Sequence, residues 1–84
     1  MPYYCYLLQC SDGSFYCGWT TNLEKRLACH NRGSASRYTR IRRPVKLVYY
    51  EECQDRSAAM KHERRIKSFS HSQKQVLVKK FNDG

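Results

Sequence analysis

The sequence lacks any apolar run of the ~18 residues that a membrane-spanning helix needs, so we expect no segment to cross a membrane. It also lacks, at its start, the basic segment and long apolar stretch of a secretory signal. Its five cysteines are odd in number and include no Cys-x-x-Cys pair, which favours neither a disulfide scaffold nor a strong zinc site. These absences predict a cytoplasmic protein with reduced thiols.

Acidic residues are scarce, since 7 Asp and Glu stand against 16 Lys and Arg, and the net charge is +9. That charge on a small protein favours a polyanionic partner, with nucleic acid as the first candidate and an anionic membrane surface as the second. Charge that serves only solubility is the alternative. The 84 residues, 40% of them hydrophobic, predict one folded domain, residues 1–84, with a modest core.

Two tyrosine-rich apolar runs, residues 3–10 and 15–20, flank an Asp-Gly turn and predict a β-hairpin. A two-residue turn would place Tyr6 and Tyr16 on opposite faces of the hairpin. We expect instead a three-residue loop, 11–13, with Gly13 in the left-handed region. The resulting pairs are Cys10 with Ser14, Leu8 with Tyr16, and Tyr6 with Gly18.

In this register Tyr4, Tyr6 and Tyr16 share one face of the hairpin. Gly18 would then leave a gap beside Tyr6 that admits a bulky group such as a phosphodiester backbone. Both faces of the hairpin are apolar, so we expect helices to cover both.

The first helix is predicted to begin after Thr21, with Glu24 as its capping-box partner, and to run to about residue 31, where Gly33 ends it. Arg26 and His30 are four residues apart and lie on one face of this helix.

Residues 33–44 predict a basic loop in which Tyr38 stands among arginines. Arginine next to an aromatic ring suits phosphate contacts and base stacking, and the alternative is a solvated loop that packs on the sheet through Tyr38 and Ile41. The candidate nucleic-acid contacts are Arg37, Tyr38, Arg40, Arg42 and Arg43, together with the bare position at Gly18.

A third strand at 45–50, a second helix at about 56–68 capped by Asp55, and a last helix at 71–80 opened by Ser70 and Gln73 complete the chain. The order β-β-α-β-α-α predicts an α+β fold with a three-stranded sheet flanked by helices.

One carboxylate lies in an unexpected place on the second helix. At 100° per residue, Glu63 falls on the apolar stripe between Ala59 and Ile66. An unpaired buried carboxylate is costly, so Glu63 should either bind a metal or form a salt bridge, for example to Arg26.

These residues together resemble the signature of the GIY-YIG nucleases. The tripeptides 4–6 (Tyr-Cys-Tyr) and 16–18 (Tyr-Cys-Gly) are similar to its two halves, and Arg26, His30 and Glu63 follow at fitting distances. The resemblance covers nearly the whole chain and is greatest for the small stand-alone bacterial members, which consist of the nuclease domain alone. Tyr4 stands where the signature has Gly, Cys5 and Cys17 where it has Ile.

The resemblance implies a metal-dependent endonuclease, with DNA a more expected substrate than RNA. Glu63 would ligate one divalent ion, Mg²⁺ or Mn²⁺, and Arg26 would hold a phosphate oxygen. A tyrosine would act as general base, Tyr6 as the first choice and Tyr16 as the second, with His30 as a proton relay. Many members carry a late Asn where Gln75 stands here, which bears on catalytic strength.

Two other functions stay open from the sequence. One is a non-catalytic nucleic-acid-binding module on the same fold, which explains the basic loop but not the position of Glu63. The other is a zinc protein that uses some of a set of four residues. These four are Cys29, His30, Cys53 and His62.

Overall fold

The computed structural model describes residues 2–83 and has an antiparallel sheet of three strands in the order β2-β1-β3. The elements in this range are β1 (Tyr3–Gln9), β2 (Phe15–Thr20), α1 (Leu23–Arg32), α2 (Arg37–Arg40), β3 (Lys46–Cys53), α3 (Arg56–Lys67) and α4 (His71–Asp83). This architecture confirms the predicted α+β class and its three-stranded sheet. No described helix combines the length and apolar character needed to cross a membrane.

The hairpin forms with the three-residue turn and the register expected from the sequence. Tyr6 pairs with Gly18 and Leu8 with Tyr16. The Cys10 N–H donates to the Ser14 carbonyl at 2.8 Å, and Gly13 has φ +86°, the left-handed conformation that glycine adopts without strain. This parity directs Tyr6 and Tyr16 to the same side of the sheet.

Helices cover both faces of the sheet, as predicted. On one face α3 packs through Ala59 and Ile66 against a core that includes Cys5 and Leu7, with α4 packed against its margin. On the other face Leu23 and Leu27 of α1 pack against a second buried cluster. This second cluster contains Tyr6, Leu8, Cys10 and Val45.

The start of α1 differs by one residue from the prediction. Asn22, not Thr21, is the N-cap, because its side chain accepts the Lys25 N–H at 3.1 Å. Asn ranks above Thr as an N-cap, so the capping box assigned to Thr21 and Glu24 was wrong. The helix ends at Gly33 as expected, with φ +83°.

The segment predicted to be a loop contains the short helix α2. The Ser36 hydroxyl accepts the Tyr38 N–H at 3.1 Å, which caps the start of this single turn. Helix α2 packs beside α1 and carries Thr39, whose side chain is completely buried. Helix α2 therefore belongs to the same layer of the fold as Arg26 and His30.

The hairpin turn is joined to the segment that follows α2. The backbone N–H and the hydroxyl of Ser11 both donate to the Arg42 carbonyl at 3.0 Å. The Arg42 Nε donates to Asp12 Oδ2 at 3.1 Å. These contacts link segments 30 residues apart in sequence and hold α2 against the sheet.

Candidate active site

A cavity of about 540 Å³ opens at the edge of the sheet formed by β2. It brings together four of the residues predicted to form a catalytic site, namely Tyr6, Tyr16, Arg26 and Glu63. The tyrosines belong to the sheet face under α1, whereas Glu63 comes from α3 on the opposite face. The cavity therefore reaches around an edge strand, and no single layer of the fold contains it. Tyr3 lines the cavity, whereas Tyr4, which was expected on the same face of the hairpin as Tyr6 and Tyr16, does not.

The Tyr6 hydroxyl is held by two side chains from α1. It lies 3.0 Å from His30 Nε2 and accepts the Arg26 Nε–H at 3.3 Å. Burial raises the pKa of Tyr6 to about 12, although the hydrogen bond from Arg26 acts in the other direction. Tyr6 is therefore a neutral phenol at pH 7.

The gap expected beside Gly18 is filled by the end of the Tyr6 side chain. A Cβ at position 18 would lie only 2.6 Å from Tyr6 Oη and 2.8 Å from its Cζ. Gly18 lines the cavity, but the space beside it holds a phenol and does not admit a phosphodiester backbone. The cross-strand partners were predicted correctly. The expected gap was wrong because the Tyr6 ring points towards Gly18.

His30 is fully buried, and both of its ring nitrogens have partners. Nε2 lies 3.0 Å from Tyr6 Oη, and Nδ1 lies 2.8 Å from Thr39 Oγ1. Burial, with a smaller effect of the positive charge of Arg26, lowers the pKa of His30 to about 4, so its imidazole is neutral at pH 7. Sequence reasoning missed Thr39, because its contact with His30 depends on how α2 packs against α1.

The low pKa of His30 makes stability depend on pH. The pKa in the folded protein lies below the ordinary value of 6.5, so the stabilisation is complete above about pH 6.5 and is lost as the pH falls to about 4. At about 1.4 kcal/mol for each pKa unit, the loss is roughly 3 kcal/mol. Urea unfolding at pH 7 and pH 4.5 should show most of this loss in the wild type and a smaller one in His30→Gln. An equal loss of stability in the wild type and in His30→Gln would show that His30 is not the titrating group.

Tyr16 differs from Tyr6 in its surroundings. It is half-buried, and its ring lies 5.0 Å from the His30 ring and 6.1 Å from the Tyr38 ring, between centroids. Among residues 2–83 the structure shows no hydrogen bond to its hydroxyl, whereas the Tyr6 hydroxyl has two. Of the two tyrosines predicted as candidate bases, Tyr16 is therefore the one whose hydroxyl is not engaged by another described side chain.

Glu63 lies partly buried at the cavity wall, and its side chain is 22% exposed. Its Oε1 lies 3.2 Å from Lys67 Nζ, one helical turn further along α3. The salt bridge that the sequence suggested as an alternative, to Arg26, is not the one observed. The carboxylate is therefore paired at the helix surface while it still faces the cavity.

The donor set suits a hard divalent ion held by few protein ligands. Within the described part of the chain, no three His, Cys, Asp or Glu side chains converge, and Glu63 is the acidic residue among those that line the cavity. Mg²⁺ commonly uses one or two carboxylates and completes its shell with water and substrate phosphate. One carboxylate beside an arginine in an open cavity fits this pattern.

The residues of the zinc alternative are engaged elsewhere. Both ring nitrogens of His30 are bonded to Tyr6 and Thr39, and His62 Nε2 lies 3.2 Å from Glu51 Oε2 on the opposite edge of the sheet. These contacts leave no shared centre for the histidines with Cys29 or Cys53.

The predicted basic segment separates into two kinds of arginine. Arg42 stacks over the Tyr38 ring at 3.9 Å, in addition to its contacts with the hairpin turn. Arg43 donates to the Arg40 carbonyl at 2.8 Å. The guanidinium groups of Arg37 and Arg40 make no hydrogen bond or salt bridge within residues 2–83, and both residues are exposed. The second pair is therefore better placed for phosphate contacts than the first.

A second groove of about 330 Å³ adjoins the cavity and shares Tyr16 with it. Lys67 from α3 and Lys74 from α4 line this groove together with Tyr38. Gln75, which stands at the position of the expected Asn, is exposed on α4 and does not line the cavity. The side chain that α4 brings near the site is thus Lys74, which directly precedes Gln75.

Comparison with known proteins gives one consistent result. A model of the GIY-YIG catalytic domain matches residues 2–76. A UPF0213 protein of Staphylococcus haemolyticus is 47% identical over 76 residues, which are 90% of this chain and 93% of that protein.

Solved structures agree with this match. The solution NMR structure of a UPF0213 protein from Bacillus halodurans has a TM-score of 0.60 at 38% identity and covers 94% of this chain and 84% of its own. The solution NMR structure of a protein from E. faecalis has a TM-score of 0.66 at 42% identity and covers 100% and 90%. All residues that line the cavity lie within the region matched by the domain model.

Proposed function

Because this chain belongs to the GIY-YIG catalytic domain family, we propose that residues 1–84 form one nuclease domain that hydrolyses phosphodiester bonds in nucleic acid. The observation that carries the proposal is the convergence of Arg26, Glu63, Tyr6 and Tyr16 in one cavity. These side chains come from opposite faces of the sheet, and a common core would not require them to meet. DNA is the first substrate to test and RNA the second.

Arg26 is the proposed phosphate ligand. Its Nε is already directed to Tyr6 Oη, which leaves the two terminal nitrogens of the guanidinium for a non-bridging phosphate oxygen. The hydrogen bond with Tyr6 raises the pKa of Arg26, so its charge persists at every pH at which the protein would work. The contact with Tyr6 thus holds the side chain in one orientation.

Glu63 is the proposed metal ligand. A divalent ion such as Mg²⁺ or Mn²⁺, when bound there, would offset charge on the scissile phosphate and on the leaving oxygen. Lys67, which now pairs with the carboxylate at 3.2 Å, would then be free to contact phosphate in the adjoining groove.

Tyr16 is the better candidate for the general base. A base must take a proton from a water molecule in the cavity, and Tyr16 combines access with a free hydroxyl. Tyr6 is only 1% exposed, its pKa is raised to about 12, and its hydroxyl is bonded to His30 and Arg26. We therefore assign Tyr6 to the support of Arg26, which reverses the order of preference drawn from the sequence. Positive groups in the cavity stabilise the negative charge of a tyrosine that has lost its proton.

The deciding experiment is a cleavage panel with duplex, branched and single-stranded DNA and with RNA, each in Mg²⁺, Mn²⁺ and EDTA. Cleavage that requires the metal supports the proposal. Arg26→Ala protein purified in parallel reports contaminating nuclease, because activity that survives this change does not come from the proposed site. The absence of cleavage on every substrate, with binding retained, would instead support the non-catalytic binding module.

The groove beside Tyr16 suggests the path of the nucleic acid. Lys74→Gln should weaken DNA binding severalfold and lower the slope of log affinity against log salt by about one, since one phosphate contact is lost. Fluorescence anisotropy with a short labelled oligonucleotide in EDTA measures this without cleavage. Lys80→Gln is the matched control, because Lys80 lies on the same helix, carries the same charge and does not line the groove. Equal effects of the two changes would mean that only net charge matters.

A further inference from the structure

A continuous line of hydrogen bonds begins in the cavity and ends inside the protein. Arg26 Nε–H donates to Tyr6 Oη at 3.3 Å, and Tyr6 Oη lies 3.0 Å from His30 Nε2. His30 Nδ1 lies 2.8 Å from Thr39 Oγ1, and the Thr39 hydroxyl donates to the Ser36 carbonyl at 3.3 Å. Tyr6, His30 and Thr39 are all almost completely buried, so water does not compete for these groups.

The donor and acceptor groups at the two ends of this line favour one direction for the bonds in it. A guanidinium nitrogen can only donate, and a backbone carbonyl can only accept. The Tyr6 hydroxyl therefore donates to His30 Nε2, His30 donates from Nδ1–H to Thr39, and the Thr39 hydroxyl donates to Ser36. The neutral imidazole has one N–H, and this direction places it on Nδ1.

The opposite direction leaves a buried group without a partner. If Thr39 donated to Nδ1 and His30 donated from Nε2–H, Tyr6 Oη would accept from both His30 and Arg26. The hydroxyl hydrogen of Tyr6 would then have no acceptor among the described residues, and the Ser36 carbonyl would keep only the bond from the Arg40 N–H. A buried unsatisfied donor is costly, so the first direction is favoured.

We propose that Thr39 is a positioning residue that fixes the His30 tautomer and, through Tyr6, the orientation of Arg26 in the cavity. Thr39 lies three hydrogen bonds from the guanidinium and does not line the cavity itself. The groups that face His30 are Tyr6 from β1, Tyr16 from β2, Thr39 from α2 and Arg26 from its own helix. The part of the inference that concerns Arg26 as a phosphate ligand rests on the proposed function, whereas the tautomer does not.

The ¹⁵N NMR spectrum of the His30 imidazole at pH 7, without substrate, tests the tautomer directly. The wild type should show a protonated Nδ1 and an unprotonated Nε2. Thr39→Val, which removes the hydroxyl and keeps the shape, should shift the population towards the Nε2–H form. Thr39→Ser should restore the Nδ1–H form, and it keeps the question open to measurement if the valine variant does not fold. An Nε2–H tautomer in the wild type would overturn the proposal.

Activity supplies the second readout. Thr39→Val should lower cleavage about tenfold, the equivalent of one hydrogen bond, and Thr39→Ser should recover most of it. An Nδ1–H wild type with an unchanged rate in Thr39→Val would overturn the positioning role. An Nδ1–H wild type that cleaves no substrate would leave the tautomer assignment supported and would count against the proposed function.

Discussion

Replacing Glu63 by Gln is expected to lower metal-dependent cleavage by about a thousandfold or more, because a metal contributes several kcal/mol of charge stabilisation. Glutamine keeps the shape of the side chain and removes the charge that would hold the ion. Among the described residues the Glu63 carboxylate pairs with Lys67 alone, at the helix surface, so the folded protein should lose no more than about 0.5 kcal/mol. Initial cleavage rates and thermal unfolding, measured on the same preparations, separate the two effects.

The exposed Glu52 on β3 provides the control for this change. Glu52→Gln removes the same charge at a position that does not line the cavity and should leave cleavage unchanged. A Glu63→Gln variant that keeps more than a tenth of the wild-type rate would contradict the assignment of Glu63 as the metal ligand.

Gly18→Ala is expected to destabilise the protein and to lower its activity together. The new Cβ would lie 2.6 Å from Tyr6 Oη and 2.8 Å from Cζ, so the buried phenol must move. Overpacking of this kind costs about 1–3 kcal/mol, which lowers the melting temperature of a domain this size by roughly 4 °C or more. Because Tyr6 also contacts Arg26 and His30, a displaced ring should disturb the proposed phosphate site.

A double variant tests the cause of this effect. Since the nearest atom to the new methyl group is the Tyr6 hydroxyl oxygen, Tyr6→Phe in the Gly18→Ala background should recover part of the lost stability. It should not recover activity, because the phenylalanine ring offers Arg26 no hydrogen-bond acceptor. A single variant that is as stable as the wild type would show that the sheet moves instead of the ring.

The parts of the site that could be predicted are those set by local pattern. The position of Gly13 in the turn determined the hairpin register, and the register placed Tyr6 and Tyr16 on one side of the sheet. The helical period placed Glu63 among apolar residues, and the structure puts this carboxylate at the cavity wall. The spacing of residues along the chain was therefore enough to predict most of the fold.

The parts that could not be predicted depend on contacts distant in sequence. The direction of the Tyr6 ring decides what fills the space at Gly18, and no local pattern encodes it. Thr39 reaches His30 only because a single-turn helix forms in a segment whose composition is typical of a loop. Similarly, Arg42 is of the residue type expected for a phosphate ligand, but its guanidinium already contacts Asp12 and Tyr38.

The bonds between the hairpin turn and Arg42 also bear on how the protein can be engineered. A turn exposed at a sheet end is usually the first choice for inserting an epitope tag or a fluorescent protein, since such sites tolerate added chain. Here Ser11 and Asp12 bind Arg42, which follows α2 and lies three positions after Thr39. A tag inserted between Ser11 and Asp12 would disrupt these contacts with Arg42 and, through α2, would disturb the buried His30 imidazole. The tip of this hairpin is therefore a tertiary contact, and insertions should be made elsewhere.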